Sequence, residues 1–155
     1  CLQWKDDNVM ALNNYAYYLS EKGVDLHKAE SMSYKTIKAE PNNGTYLDTY
    51  AWILFMEERY ADAKTYIDQA LKNRDSTVDN STVLEHAGDI YYMNGMADES
   101  VDFWKKAYTG ENQTEVLAWK IKNRQYITEE ELKKRNAPKQ KPTATKKSVR
   151  KGKKK

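Results

Sequence analysis

One cysteine, two histidines and three prolines among 155 residues already exclude several kinds of chemistry. With Cys1 alone, no intrachain disulfide can form and no thiolate metal site can be built. Its position suits a small side chain at a helix crossing, although a lipid-bearing mature terminus would also begin on cysteine. His27 and His86 have no second histidine or cysteine at ligand spacing. His86, between Glu85 and Asp89 in a helical stretch, reads as a surface residue, so no metal site is expected. Gly88, Gly95 and Gly110 form no phosphate loop, and neither Gly-x-Ser-x-Gly nor His-Glu-x-x-His occurs. No cofactor motif is present, and the expectation is a chain that works without catalysis. No apolar run approaches the roughly 20 residues of a membrane-spanning helix.

What is present is repetition. Leu12-x-x-Tyr15-Ala16-x-x-Leu19 returns as Leu47-x-x-Tyr50-Ala51-x-x-Leu54 and as Leu84-x-x-Ala87-Gly88-x-x-Tyr91. Ala29 and Pro41 are matched thirty-four positions on by Ala63 and Asp75. Each signature is followed by a break and a second apolar period: Leu26, Ala29, Thr36 and Ile37, then Tyr60, Ala63, Ile67, Ala70 and Leu71, then Ala97, Ser100, Val101, Trp104, Ala107 and Tyr108. Steps of three and four put each set on one face of a helix, so the unit is a helical hairpin and the fold is all-α.

Small residues stand where the two helices of a hairpin would cross: Ala16, Ala51 and Gly88 on the first helix, Ala29, Ala63 and Ser100 on the second. A bulkier side chain there would force the axes beyond the roughly 8–10 Å of close helix packing.

These offsets resemble the tetratricopeptide repeat (TPR) family, over about residues 8 to 110. The departures are Asp75 in place of the closing proline, Glu58 where Gly95 stands in the third copy, an extra residue near Val24 and a longer connection from Arg74 to Ser81. The resemblance implies a right-handed superhelical solenoid of antiparallel helix pairs, in which the first helices line a concave face. The family's ligand-facing offsets fall on Met10, Asn13 and Tyr17, on Thr45, Asp48, Trp52 and Phe55, and on Thr82, Glu85, Asp89 and Tyr92. From these, Asn13, Tyr17, Asp48, Trp52, Phe55, Glu85, Asp89 and Tyr92 form the expected groove for a protein or peptide ligand. Acidic side chains stand where one subclass of the family needs cations to hold a carboxylate, so anionic peptide tails should be repelled. The resemblance extends to repeat proteins of bacterial type, often exported or envelope-associated.

The repeats are placed at about 9–43, 44–80 and 81–113. Residues 1–8 align with the end of a second helix, as though the chain started partway through a longer array. Val116, Leu117, Trp119 and Ile121, with Lys120, Lys122 and Arg124 on the remaining surface, predict a capping helix over 114–127. Thr128-x-x-Glu131 is a capping box that starts a short helix over 128–136. Three Asn-x-Ser/Thr triplets, at Asn43, Asn80 and Asn112, sit just before predicted helices and read as caps in preference to glycosylation acceptors; Thr82-x-x-Glu85 reads as a second capping box.

The net charge of +3 hides a segregation. Residues 1–132 hold 14 basic and 23 acidic residues, net −9, whereas 133–155 hold 12 basic and none acidic, net +12. The segment 137–155, without an aromatic and nearly without aliphatic side chains, is expected to be disordered. Its Lys146, Lys147, Arg150, Lys151, Lys153, Lys154 and Lys155 suit a polyanion, either nucleic acid or an anionic envelope surface, through salt-sensitive phosphate contacts. The same tail could instead fold over the acidic domain. The leading expectation is a non-catalytic scaffold that binds a partner segment in the groove.

Overall fold

The computed structural model describes residues 2–75, 80–109 and 113–137, and these form eight α-helices with no strand among them. The helices are α1 (Leu2–Lys22), α2 (Leu26–Ala39), α3 (Gly44–Met56), α4 (Tyr60–Lys72), α5 (Ser81–Met93), α6 (Ala97–Tyr108), α7 (Glu115–Asn123) and α8 (Glu129–Asn136). They pair as α1·α2, α3·α4 and α5·α6. Adjacent pairs stack through α2·α3 and α4·α5, and the first helices touch directly, α1 with α3 and α3 with α5. This is the stack of antiparallel hairpins that the sequence predicts. The basic tail, with Lys146 through Lys155, and Asn112 lie outside the described residues.

The hairpin turns share one device. Gly23, Glu58 and Gly95 all take positive φ, at 69°, 64° and 81°. In the second turn the Glu58 N–H donates to the Phe55 carbonyl and the Arg59 N–H to that of Leu54; Gly95 and Met96 repeat this with Tyr92 and Tyr91, and Gly23 and Val24 with Ser20 and Leu19. That paired bonding satisfies carbonyls otherwise orphaned at a helix end, and glycine is its usual left-handed residue. Glu58 therefore adopts the glycine conformation despite its side chain.

The crossing points are as tight as the small residues require. Ala16, Ala29, Ala51, Ala63 and Ser100 are fully buried. A Cβ on Gly88 would lie 2.3 Å from Trp104 Cδ1 and 3.0 Å from the Ser100 carbonyl oxygen. Around these points Leu47, Leu54, Ile67 and Ile90 form the central core. Each is a full burial worth about 1.5–3 kcal/mol in transfer terms.

Helix starts follow the sequence in part. Asn43 Oδ1 accepts from the N–H groups of Thr45 and Tyr46, capping α3. Thr114 caps α7 through the Leu117 N–H, and Thr128 with Glu131 forms the expected capping box at α8. Asn80 differs: its amide donates to the Asp75 carbonyl and its side chain makes no cap, so the box expected at Thr82 and Glu85 does not start α5. At the front of the chain, α1 runs unbroken from Leu2 to Lys22, where the sequence suggested a boundary after residue 8.

Between the first and second hairpins, Glu30 of α2 faces Glu57 at the end of α3. The Arg59 guanidinium reaches both, at 3.0 and 3.4 Å, and also Asp62 at 3.2 Å. The Tyr50 hydroxyl donates to Glu30 at 3.3 Å. Burial and the facing Glu30 carboxylate push the Glu57 carboxyl above its usual range, against the pull of Arg59.

Candidate functional site

The eight expected groove residues divide into two settings. Asn13, Tyr17 and Asp48, from α1 and α3, line an open pocket of about 610 Å³ together with Asn43, Thr45 and Thr82. Asn14, Asn42, Asn73 and Asn80 also reach it, so amide side chains dominate its wall. Asn13 is 4% exposed, and its Oδ1 finds no hydrogen-bond partner among the described residues. Burial and the nearby Glu21 and Asp48 charges push the Tyr17 hydroxyl far above its ordinary value, so it stays protonated.

Trp52, Phe55 and Asp89 are instead buried. The Trp52 ring stacks on Phe55 at 4.6 Å and on the His86 imidazole at 4.0 Å. Tyr92 is half-buried beside Trp104, with ring centres 6.0 Å apart. These side chains fasten helices to one another. A 3.6-residue period cannot distinguish a ring turned into a groove from one turned against the next helix.

His86 is a correction to the sequence reading, which placed it on the surface. It is buried, with its Nδ1 2.9 Å from Asp48 Oδ1. Burial alone would lower its pKa; the Asp48 carboxylate, with Asp89 and Glu85 nearby, outweighs that and holds the imidazole above its ordinary value.

Lys120 is the second correction. The sequence set it on the charged surface of the capping helix, yet it is 2% exposed. Its ammonium donates to Asp89 at 2.7 Å and to Glu85 at 2.8 Å. Burial works against its charge, but the two carboxylates more than offset this and its pKa lies above the ordinary lysine value. The Trp104 indole N–H donates to the same Asp89 carboxylate at 2.9 Å. Just beyond, the Tyr126 ring meets Phe55 edge-on at 5.7 Å. Because Phe55 belongs to α3, two first helices back from α7, the 124–127 segment passes over α5. The acidic stretch of the expected groove is thus partly neutralised, one ammonium against two carboxylates, and covered from within the chain, while the part between α1 and α3 stays open.

Stacked antiparallel hairpins with small residues at each crossing define an α-helical repeat protein. More narrowly, the fold is that of tetratricopeptide-repeat domains, as the superposed solved structures show. A TPR repeat-containing protein of Pseudomonas aeruginosa is 35% identical over 66 residues, which cover 43% of this chain and 11% of that one. The chain thus spans about a tenth of the length of that curated relative. The first TPR domain of human RPAP3 superposes with a TM-score of 0.65 at 14% identity, covering 75% of this chain and 88% of that one. The TPR2AB domain of yeast Sti1, in a structure described as its complex with pHSP90, superposes with a TM-score of 0.57 at 22% identity, over 83% of this chain and 48% of that one. No protein-family model matches the chain.

Proposed function

We propose that this chain is a non-catalytic interaction scaffold that holds an extended partner segment in the pocket between α1 and α3. The observation that carries the reading is the amide-rich wall of that opening, to which Asn13, Asn14, Asn42, Asn43, Asn73 and Asn80 all contribute. Asparagine amides both donate and accept, as the backbone of an extended peptide does. Asp48 and Asp75 outnumber Arg74 among the charged residues of the wall, and with Asp48 also paired to His86 the wall disfavours an acidic segment. The TPR2AB domain of yeast Sti1, a structural relative, is described as a complex with pHSP90.

A peptide array probed with the wild-type chain and with Asn13→Leu tests this. The expected result is a set of neutral or basic peptides that the variant loses while its thermal unfolding remains cooperative. Identical profiles would reject the pocket.

A further inference from the structure

We propose that His27, Glu30 and Glu57 form a binding site for a divalent transition-metal ion of the zinc type, joining the first helical hairpin to the second. His27 and Glu30 are three residues apart on α2 and so share one face of the helix. Glu57 enters from the end of α3, in the next hairpin. One donor atom from each residue can be chosen such that all lie within 4.8 Å of one another. Tetrahedral zinc sites, with bonds of about 2.0–2.2 Å, place neighbouring donors roughly 3.4 Å apart. Rotation about the flexible side-chain bonds of the two glutamates can supply the remaining approach.

The donor set has the right chemistry. One neutral imidazole and two carboxylates carry the charge that a divalent ion neutralises, and nitrogen with oxygen donors suits zinc and its neighbours better than magnesium or calcium. The existing charge balance leaves room for a cation. Glu30 and Glu57 share a single guanidinium, and Arg59 divides its bonds between them and Asp62. When an ion enters, Arg59 keeps Asp62 as its partner. His27 is exposed, so the ion reaches the cluster from solvent without opening the fold. This site lies apart from the amide-rich pocket, and neither reading depends on the other.

The test is calorimetric titration of zinc chloride into the full chain carrying Cys1→Ser, which removes the lone thiol, after chelator treatment. One saturable equivalent is expected. His27→Ala and Glu57→Gln should each weaken it by at least about tenfold, the loss that even outer partners of a metal site cause. Arg59→Ala should tighten it by about fivefold, because a competing positive charge leaves the carboxylates. That gain cannot arise from misfolding. Absence of saturable binding, equal affinity in His27→Ala, or an Arg59→Ala variant that binds no more tightly would each overturn the proposal.

Discussion

The Lys120 ammonium of α7 lies 2.7 Å from an Asp89 carboxylate oxygen of α5, and both side chains are almost wholly shielded from solvent. The same oxygen accepts from the Trp104 indole, so one buried atom ties α5, α6 and α7 together. Removing the cation strands a buried carboxylate. Lys120→Met is expected to cost about 3–5 kcal/mol, the range for breaking a buried ion pair from one side. Asp89→Asn in the same chain should recover part of that loss. Urea unfolding of the two single variants and the double variant measures both; additive losses would show that the pair is not coupled.

His86 gives the fold a dependence on pH. Asp48 in contact, with Asp89 and Glu85 nearby, holds its folded pKa above the unfolded value of about 6.5. A raised histidine pKa means that the folded state binds the proton more tightly. Its contribution is complete below about pH 6.5 and is lost as pH rises through the higher folded pKa. Urea midpoints measured from pH 6 to pH 9 should therefore decline, and His86→Gln should flatten that decline. A midpoint in the wild-type chain that is constant or rises over this window would contradict the assignment.

Gly88 has no room for a side chain. A methyl group would meet Trp104 at 2.3 Å and press on the bond between that indole and Asp89. Gly88→Ala should destabilise by about 3 kcal/mol, at the upper end of overpacking losses, even though alanine is the better helix former. Thermal unfolding with near-ultraviolet circular dichroism, which reports on the tryptophan environment, checks both the cost and its location.

Glu58 presents the opposite case. Its φ of 64° matches those of Gly23 and Gly95 at equivalent turns. The left-handed conformation costs a residue with a Cβ about 1–2 kcal/mol, against up to about 1 kcal/mol of extra chain entropy for glycine. Glu58→Gly should therefore raise stability by about 0.5–1 kcal/mol. A denaturant midpoint below that of wild type would show that the Glu58 side chain makes a contact worth more than the strain.

The hairpins were readable because their determinants are local. Three copies of a small residue, a left-handed turn and an apolar period specify helix, turn and helix without knowledge of what lies opposite. The inner face was not readable in this way. Whether Trp52 faces a ligand or His86 depends on a residue 34 positions away, and whether Asp89 is free or paired depends on Lys120, from a helix beyond the last full repeat. Lys120 could have been suspected from its neighbours: it follows Trp119 and precedes Ile121, in the apolar part of α7. The His27, Glu30 and Glu57 cluster escaped a search for ligand spacing because its third member comes from another hairpin.

The edge-on contact of Tyr126 with Phe55 latches the stretch after α7 to the middle of the array. Tension entering the chain beyond Ile127 would be shared by α7, α5 and α3 together. Peeling from that side must break an aromatic contact and a doubly bonded ammonium before any single hairpin comes free, so under mechanical load the protein behaves as a strapped bundle, not as a string of independent links.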